Sequence, residues 1–97
     1  MTTFFVSRHP GALAWIERNR IPFDCHAPHL DMERIRSGDT VIGSLPVNIA
    51  AEVCARGAEY RHLSLRLDAV DRGRELSAEE MERYAASLEP YLVTRLP

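Results

Sequence analysis

The chain has 97 residues, 45% of them hydrophobic and 27% charged, with a formal net charge of -2. That length suits one domain, 1–97, which buries only a modest share of its surface, so pairing with a second copy is an accessible route to stability and to a shared site. The slightly negative balance excludes the broad basic face that general binding of long nucleic acid requires, while leaving room for a locally positive pocket that takes a small anion.

Thr2 to Val6 is a short β-branched and aromatic run, apolar on both faces, and predicts a central strand covered on each side. Ser7-Arg8-His9-Pro10-Gly11 breaks the pattern. Pro10 suits a first helical turn and Gly11 permits close backbone approach, so a helix is expected over Ala12 to Arg18 with Ala12, Trp15 and Ile16 on its inner face. Phe23 to Leu30 predicts a second strand, interrupted by Pro28, and Asp31 to Gly38 has room for one helical turn. Thr40 to Leu45 predicts a buried strand. Pro46 to Arg56 predicts a helix with Val47, Ala50, Ala51 and Cys54 inside, a Glu52–Arg56 pair outside, and Gly57 as its stop. Tyr60 to Leu67 alternates, with Leu63, Leu65 and Leu67 on one face and His62, Ser64 and Arg66 on the other. A charged loop with Arg72-Gly73-Arg74 follows. Ser77-Ala78-Glu79-Glu80 is a capping box that starts a helix from Ala78 to about Leu88, with a Met81, Tyr84, Ala85 and Leu88 stripe. Pro90 ends it, and Tyr91 to Leu96 predicts a last strand.

This order predicts an α/β fold: a three-layer, Rossmann-like sandwich with a mostly parallel central sheet. In such sheets ligands collect beyond the carboxyl ends of the strands, where the strand order reverses. Two strand-to-helix junctions carry suitable residues, Ser7 to Gly11 and Gly43 to Asn48, and if both strands are central and parallel the two loops meet at one edge.

All twelve basic residues are arginine. Anion contacts must then use guanidinium, backbone amide or histidine, and a lysine nucleophile or Schiff base is excluded. At the first junction, helix-start amides and the helix dipole favour an anion, Arg8 adds a bidentate contact, Ser7 a hydroxyl and His9 a proton donor or acceptor. The structural alternative is that Ser7 caps the helix, Arg8 pairs with a carboxylate and His9 is merely exposed. At the second, Gly43 lets a ligand approach while Ser44 and Asn48 offer uncharged contacts suited to a ribose or a base edge; an ordinary strand exit and helix cap explains them equally well. The Arg72-Gly73-Arg74 loop could close over an anion, and a solvated charged loop is the commoner case.

His29 and Asp31, with His26 nearby, match no standard metal-ligand spacing, so neither a metal nor a cofactor is expected. Cys25 and Cys54 form no CxxC and are expected to be buried free thiols. With neither a signal peptide nor an apolar run long enough to span a bilayer, a reducing cytoplasm is the expected compartment. Walker, GxGxxG, GxSxG and HExxH motifs are absent. A strand ending in Arg8-His9 is similar to the histidine phosphatases, where an Arg-His-Gly follows the first strand; Pro10 departs from that pattern and the chain is short for that fold.

Several stretches together resemble another family, the small CRISPR-associated proteins of type III systems known as the Csx-sixteen group. They are Phe4 to Ala12, His29-Leu30-Asp31, Gly38 to Asn48, Ala50 to Cys54 and Arg72 to Ser77. The resemblance implies a fold related to the CARF domains, a homodimer and ring nuclease activity on cyclic tetra-adenylate. In related enzymes cleavage is metal-independent: a ribose 2′-OH attacks the adjacent phosphate and leaves a 2′,3′-cyclic phosphate. On that reading Arg8 and His9 are assigned to the chemistry and Ser7 to positioning, while Gly11, Gly43, Ser44 and Asn48 line the ring pocket. The alternatives are a protein that captures the cyclic oligoadenylate without cutting it, as a sink or sensor, a phosphatase using His9 as nucleophile, and a structural subunit whose junction is inert.

Overall fold

The computed structural model describes residues 1–67 and 73–97. The strands are β1 (Thr3–Val6), β2 (Cys25–Ala27), β3 (Thr40–Gly43), β4 (Glu59–Ser64) and β5 (Ser87–Tyr91), and the helices α1 (Pro10–Arg18), α2 (Val47–Ala55) and α3 (Ala78–Arg83), with a single 3-10 turn at Met32–Arg34. They form one five-stranded sheet in the order β2-β1-β3-β4-β5. The first four strands are parallel and β5 runs antiparallel to β4. This is the expected Rossmann-like α/β sandwich, and its strand order reverses between β1 and β3.

The layers follow from that reversal. From β1 the chain moves outward to β2, and from β3 it moves outward the other way to β4. Right-handed crossovers in opposite directions put α1 and α2 on opposite faces. Alternation along each strand divides the core accordingly. Phe4, Val41 and Tyr60 pack with Ala50 and Val53 of α2. Phe5, Ile42 and Leu63 pack with Ala12, Trp15 and Ile16 of α1 and Met81 of α3. Both apolar faces of β1 are covered, as a two-sided apolar run requires.

Element boundaries correct several expectations. The third strand stops at Gly43 rather than Leu45. On α2 the buried residues are Ala50 and Val53, while Val47 is 73% exposed, so the inner stripe starts one turn later than its sequence suggests. The last helix ends at Arg83 instead of near Leu88. The last strand is Ser87–Tyr91, which takes in Pro90 on a sheet edge, where its missing N–H costs no ladder bond. Cys25 and Cys54 are half-buried free thiols, not fully buried ones.

All three helices close in the same way. The residue two past the C-cap donates its N–H to the carbonyl five residues back, and the residue before it donates three residues back, with a positive φ at that turning residue. In α2 that residue is Gly57 (φ 82), in α1 it is Arg20 (φ 54), and in α3 it is Ala85 (φ 56). The start of α3 is the expected capping box, the Ser77 hydroxyl accepting from Glu80 N–H while the Glu80 carboxylate accepts from Ser77 N–H.

Asp39 ties the start of the chain to the sheet. Its carboxylate accepts from Thr2 N–H (2.8 Å) and Arg36 N–H (3.0 Å), and its carbonyl accepts from Glu59 N–H (2.8 Å). The Thr2 and Arg36 amides hold its carboxyl below the ordinary aspartate value against the opposing effect of burial. A group with a depressed folded pKa contributes stability above its unfolded pKa, and that contribution disappears as pH falls through the folded value. Asp39→Asn is therefore expected to melt lower at pH 7 and to lose part of the wild-type decline in Tm below about pH 4. Thermal melts of both proteins between pH 2 and 7 check this.

Candidate functional site

The first junction is built from the outer side. Ser7 N–H donates to Ala27 carbonyl of β2 (3.0 Å), and His26 Nε2 lies 3.1 Å from Ser7 carbonyl while its ring stacks on Phe5. The Ser7 hydroxyl accepts from His9 N–H (3.1 Å), and His9 is the N-cap of α1, with no side-chain capping bond. Pro10 takes the first helical position, where no N–H is needed. Arg8 and His9 are exposed, and Arg8 makes no ion pair among the described residues. Among the described residues the Ser7 hydroxyl caps no helix amide and Arg8 pairs with no carboxylate, while His9 is exposed as the structural alternative expects.

Gly11 makes a tight contact. A Cβ there would fall inside the Leu76 carbonyl oxygen and 2.9 Å from its carbon, so the neighbour that comes close is the chain's own backbone. His9, Pro10, Gly11 and Ala14 form one wall of a mainly apolar hollow of about 440 Å³, and Glu75 to Ala78 form the other.

The second junction leaves the adjacent strand, since Val6 is in register with Gly43. A Cβ on Gly43 would stand 2.7 Å from Val6 carbonyl, so a side chain there would push β1 and β3 apart. The Ser44 hydroxyl donates to Leu63 carbonyl of β4 (3.0 Å), and Asn48 is exposed in the first turn of α2. The two exits thus lie side by side at the switch point, each braced against its outer strand, with no hydrogen bond between them among the described residues.

A third element has no counterpart among the expected site residues. The Tyr60 hydroxyl, on the α2 face of β4, accepts from Leu45 N–H (2.9 Å), donates to Gly43 carbonyl (3.1 Å) and lies 2.6 Å from His62 Nδ1. Burial pushes the Tyr60 phenol above its ordinary pKa, and the Leu45 amide pulls the other way. His62 then faces a cleft of about 520 Å³ together with Ser64, Arg66, Ser87, Glu89 and Tyr91. The signal was in the sequence: in a strand, Tyr60-x-His62 places both rings on one face, continuous with Ser64 and Arg66.

Of the charged loop, Arg72 lies outside the described residues. Arg74 pairs with Glu80 at 2.7 Å, and that guanidinium, with the Ser77 amide, holds the Glu80 carboxyl below its ordinary value. Among the described residues no group of three or more His, Cys, Asp or Glu side chains is placed to hold a metal ion, and no helix is long and apolar enough to cross a membrane.

The chain that forms this sheet matches, over residues 4–94, the family described as "Putative CRISPR-associated protein (Cas_VVA1548)". The chain belongs to this family. No curated protein and no solved structure gives a significant match. The family match covers both junctions and the β4–β5 cleft, so all three elements belong to the CRISPR-associated domain itself.

Proposed function

We propose that this CRISPR-associated protein is a ring nuclease that opens cyclic tetra-adenylate, the second messenger of type III antiviral signalling. It does so without a metal, as a CARF-related homodimer in the cytoplasm. The observation that carries the reading is the pairing of the β1 and β3 exits in register at the switch point, the place where an open α/β sheet receives a ligand. A ligand with four phosphates suits a chain whose first exit offers the Gly11 N–H at a helix start and a guanidinium with no ion pair among the described residues. A two-fold dimer suits a ring that has its own symmetry.

The chemistry asked of the protein is limited. It must hold the 2′-OH, the phosphorus and the departing O5′ in line, carry the charge of the phosphorane and move protons. Arg8 and the Gly11 N–H carry the charge, Ser7 positions the phosphate, and His9 accepts the proton of the attacking 2′-OH. Gly11, Gly43, Ser44 and Asn48 border the ring.

Incubating purified protein with cyclic tetra-adenylate in EDTA and resolving the products by chromatography tests the proposal. Linear adenylates ending in 2′,3′-cyclic phosphate are expected. Tight binding with the ring left intact would replace the nuclease by a sink or sensor, and an unchanged nucleotide with no binding would remove the ligand class altogether.

A further inference from the structure

Opening a phosphodiester by 2′-OH attack needs two proton transfers, one from the attacking O2′ and one to the departing O5′, and of the two imidazoles at the first junction His26 is held on the Ser7 carbonyl and stacked on Phe5, which leaves His9 for one of them. We infer that His62 is the second catalytic group, the acid that protonates O5′, and that the β4–β5 cleft receives the departing nucleoside. The inference rests on the nuclease reading above and concerns the same reaction.

The register places His62 beside the second junction. Val6, Gly43, His62 and Glu89 form one row across β1, β3, β4 and β5 at the carboxyl edge of the parallel strands. His62 is therefore next to the second junction and two strand spacings, about 10 Å, from the residue that precedes the first.

The Tyr60 hydroxyl has one proton to give and two lone pairs to fill. It gives the proton to Gly43 carbonyl and takes Leu45 N–H on one lone pair. Nδ1 of His62, 2.6 Å away, completes it as a donor on the other. Every capacity of the phenol is then used, and the imidazole has its proton on Nδ1 in both the neutral and the charged form. The proton that comes and goes is on Nε2, and its loss requires no hydrogen bond to rearrange. Such preorganisation is what a proton-transferring group needs. Tyr60 is the positioning residue.

The surroundings complete the acid. The Tyr91 ring meets His62 edge to face, with centroids 5.8 Å apart. The Glu89 carboxylate lies in register across the strand pair, and Arg66 in the same cleft offers a contact for a neighbouring phosphate. In the reaction O2′ bonds to phosphorus as its proton passes to His9. The P–O5′ bond breaks with its electron pair on O5′, and O5′ takes the Nε2 proton of His62. The products are a 2′,3′-cyclic phosphate and a free 5′-OH, with no water consumed.

The test compares cyclic tetra-adenylate with an analogue carrying sulfur in place of each O5′, whose thiolate leaves without a proton. On the ordinary ring, single-turnover cleavage by His62→Ala and His62→Gln is expected to fall about 10²–10⁴-fold. On the sulfur analogue both variants are expected to cut within about tenfold of wild type, which also shows that they are folded, whereas His9→Ala stays slow on both substrates. Wild-type protein that cuts the ring while the His62 variants keep its rate, or stay slow on the sulfur analogue, overturns the assignment alone. Wild-type protein that cuts neither substrate overturns it together with the nuclease reading.

Discussion

Gly11→Ala is expected to destabilise the protein by about 3 kcal/mol, enough to lower Tm by about 10–20 °C in a chain of this size. The new Cβ would sit inside the Leu76 carbonyl oxygen, and the atoms in its way are backbone, which cannot swing aside as a flexible side chain can. Relief requires separating α1 from the 75–77 segment. That segment is held on its far side by the Ser77 capping box and the Arg74–Glu80 pair, so the strain passes into the start of α3. The α1–α3 contact is itself part of the core that covers Phe5 and Ile42. A thermal melt followed by circular dichroism reads the effect. A variant that melts within about 2 °C of wild type but no longer binds cyclic tetra-adenylate would mean that Gly11 serves the ligand rather than the packing.

How legible this was in the sequence differs by level. The parallel sheet was readable because Thr2 to Val6 and Thr40 to Ile42 are apolar on both faces, a pattern only a covered strand explains. The start of α3 was readable because a capping box is local chemistry, and so was the end of α2, where Gly57 supplies the positive φ at no steric cost. The ends of α1 and α3 use the same closure with Arg20 and Ala85, residues that carry no such mark, and the overlong α3 followed from that. Ala85 adopts a conformation that alanine alone disfavours because β5 must start at Ser87 to pair with Ser64; tertiary demand overrides local preference.

The site divides in the same way. Both junctions were visible as breaks in periodicity rich in polar and small residues. Their bracing was not, since Ser7 to Ala27 and Ser44 to Leu63 are contacts between strands whose neighbours only the strand order decides. The Tyr60–His62 pair shows the intermediate case. Its shared face follows from a period of two, but the value of the pair depends on Gly43 and Leu45 arriving at the same hydroxyl, and no spacing within one strand encodes that.

Arg8→Ala and His9→Ala are expected to slow single-turnover cleavage of cyclic tetra-adenylate by about 10²–10⁴-fold each, while binding weakens by no more than about tenfold. The separation of rate from affinity follows from where the charge develops. A ring carries its four phosphate charges before and after binding, so contacts to them hold ground state and transition state alike and appear mainly in affinity. Only the extra charge of the phosphorane, and the proton leaving O2′, are particular to the transition state, and these are the tasks assigned to the two side chains. Folding is expected to be untouched, within about 0.5 kcal/mol, because both residues are exposed and Arg8 has no ion pair among the described residues to lose. Arg8→Lys refines the test. It would introduce the chain's first lysine, keeping the charge while removing the paired N–H donors that match two phosphate oxygens at once. An intermediate rate is expected if the bidentate contact matters, and a wild-type rate if charge alone does. If Arg8→Ala and His9→Ala both retain the wild-type single-turnover rate, the first junction is a binding surface, and the chemistry must be sought at His62 and the β4–β5 cleft.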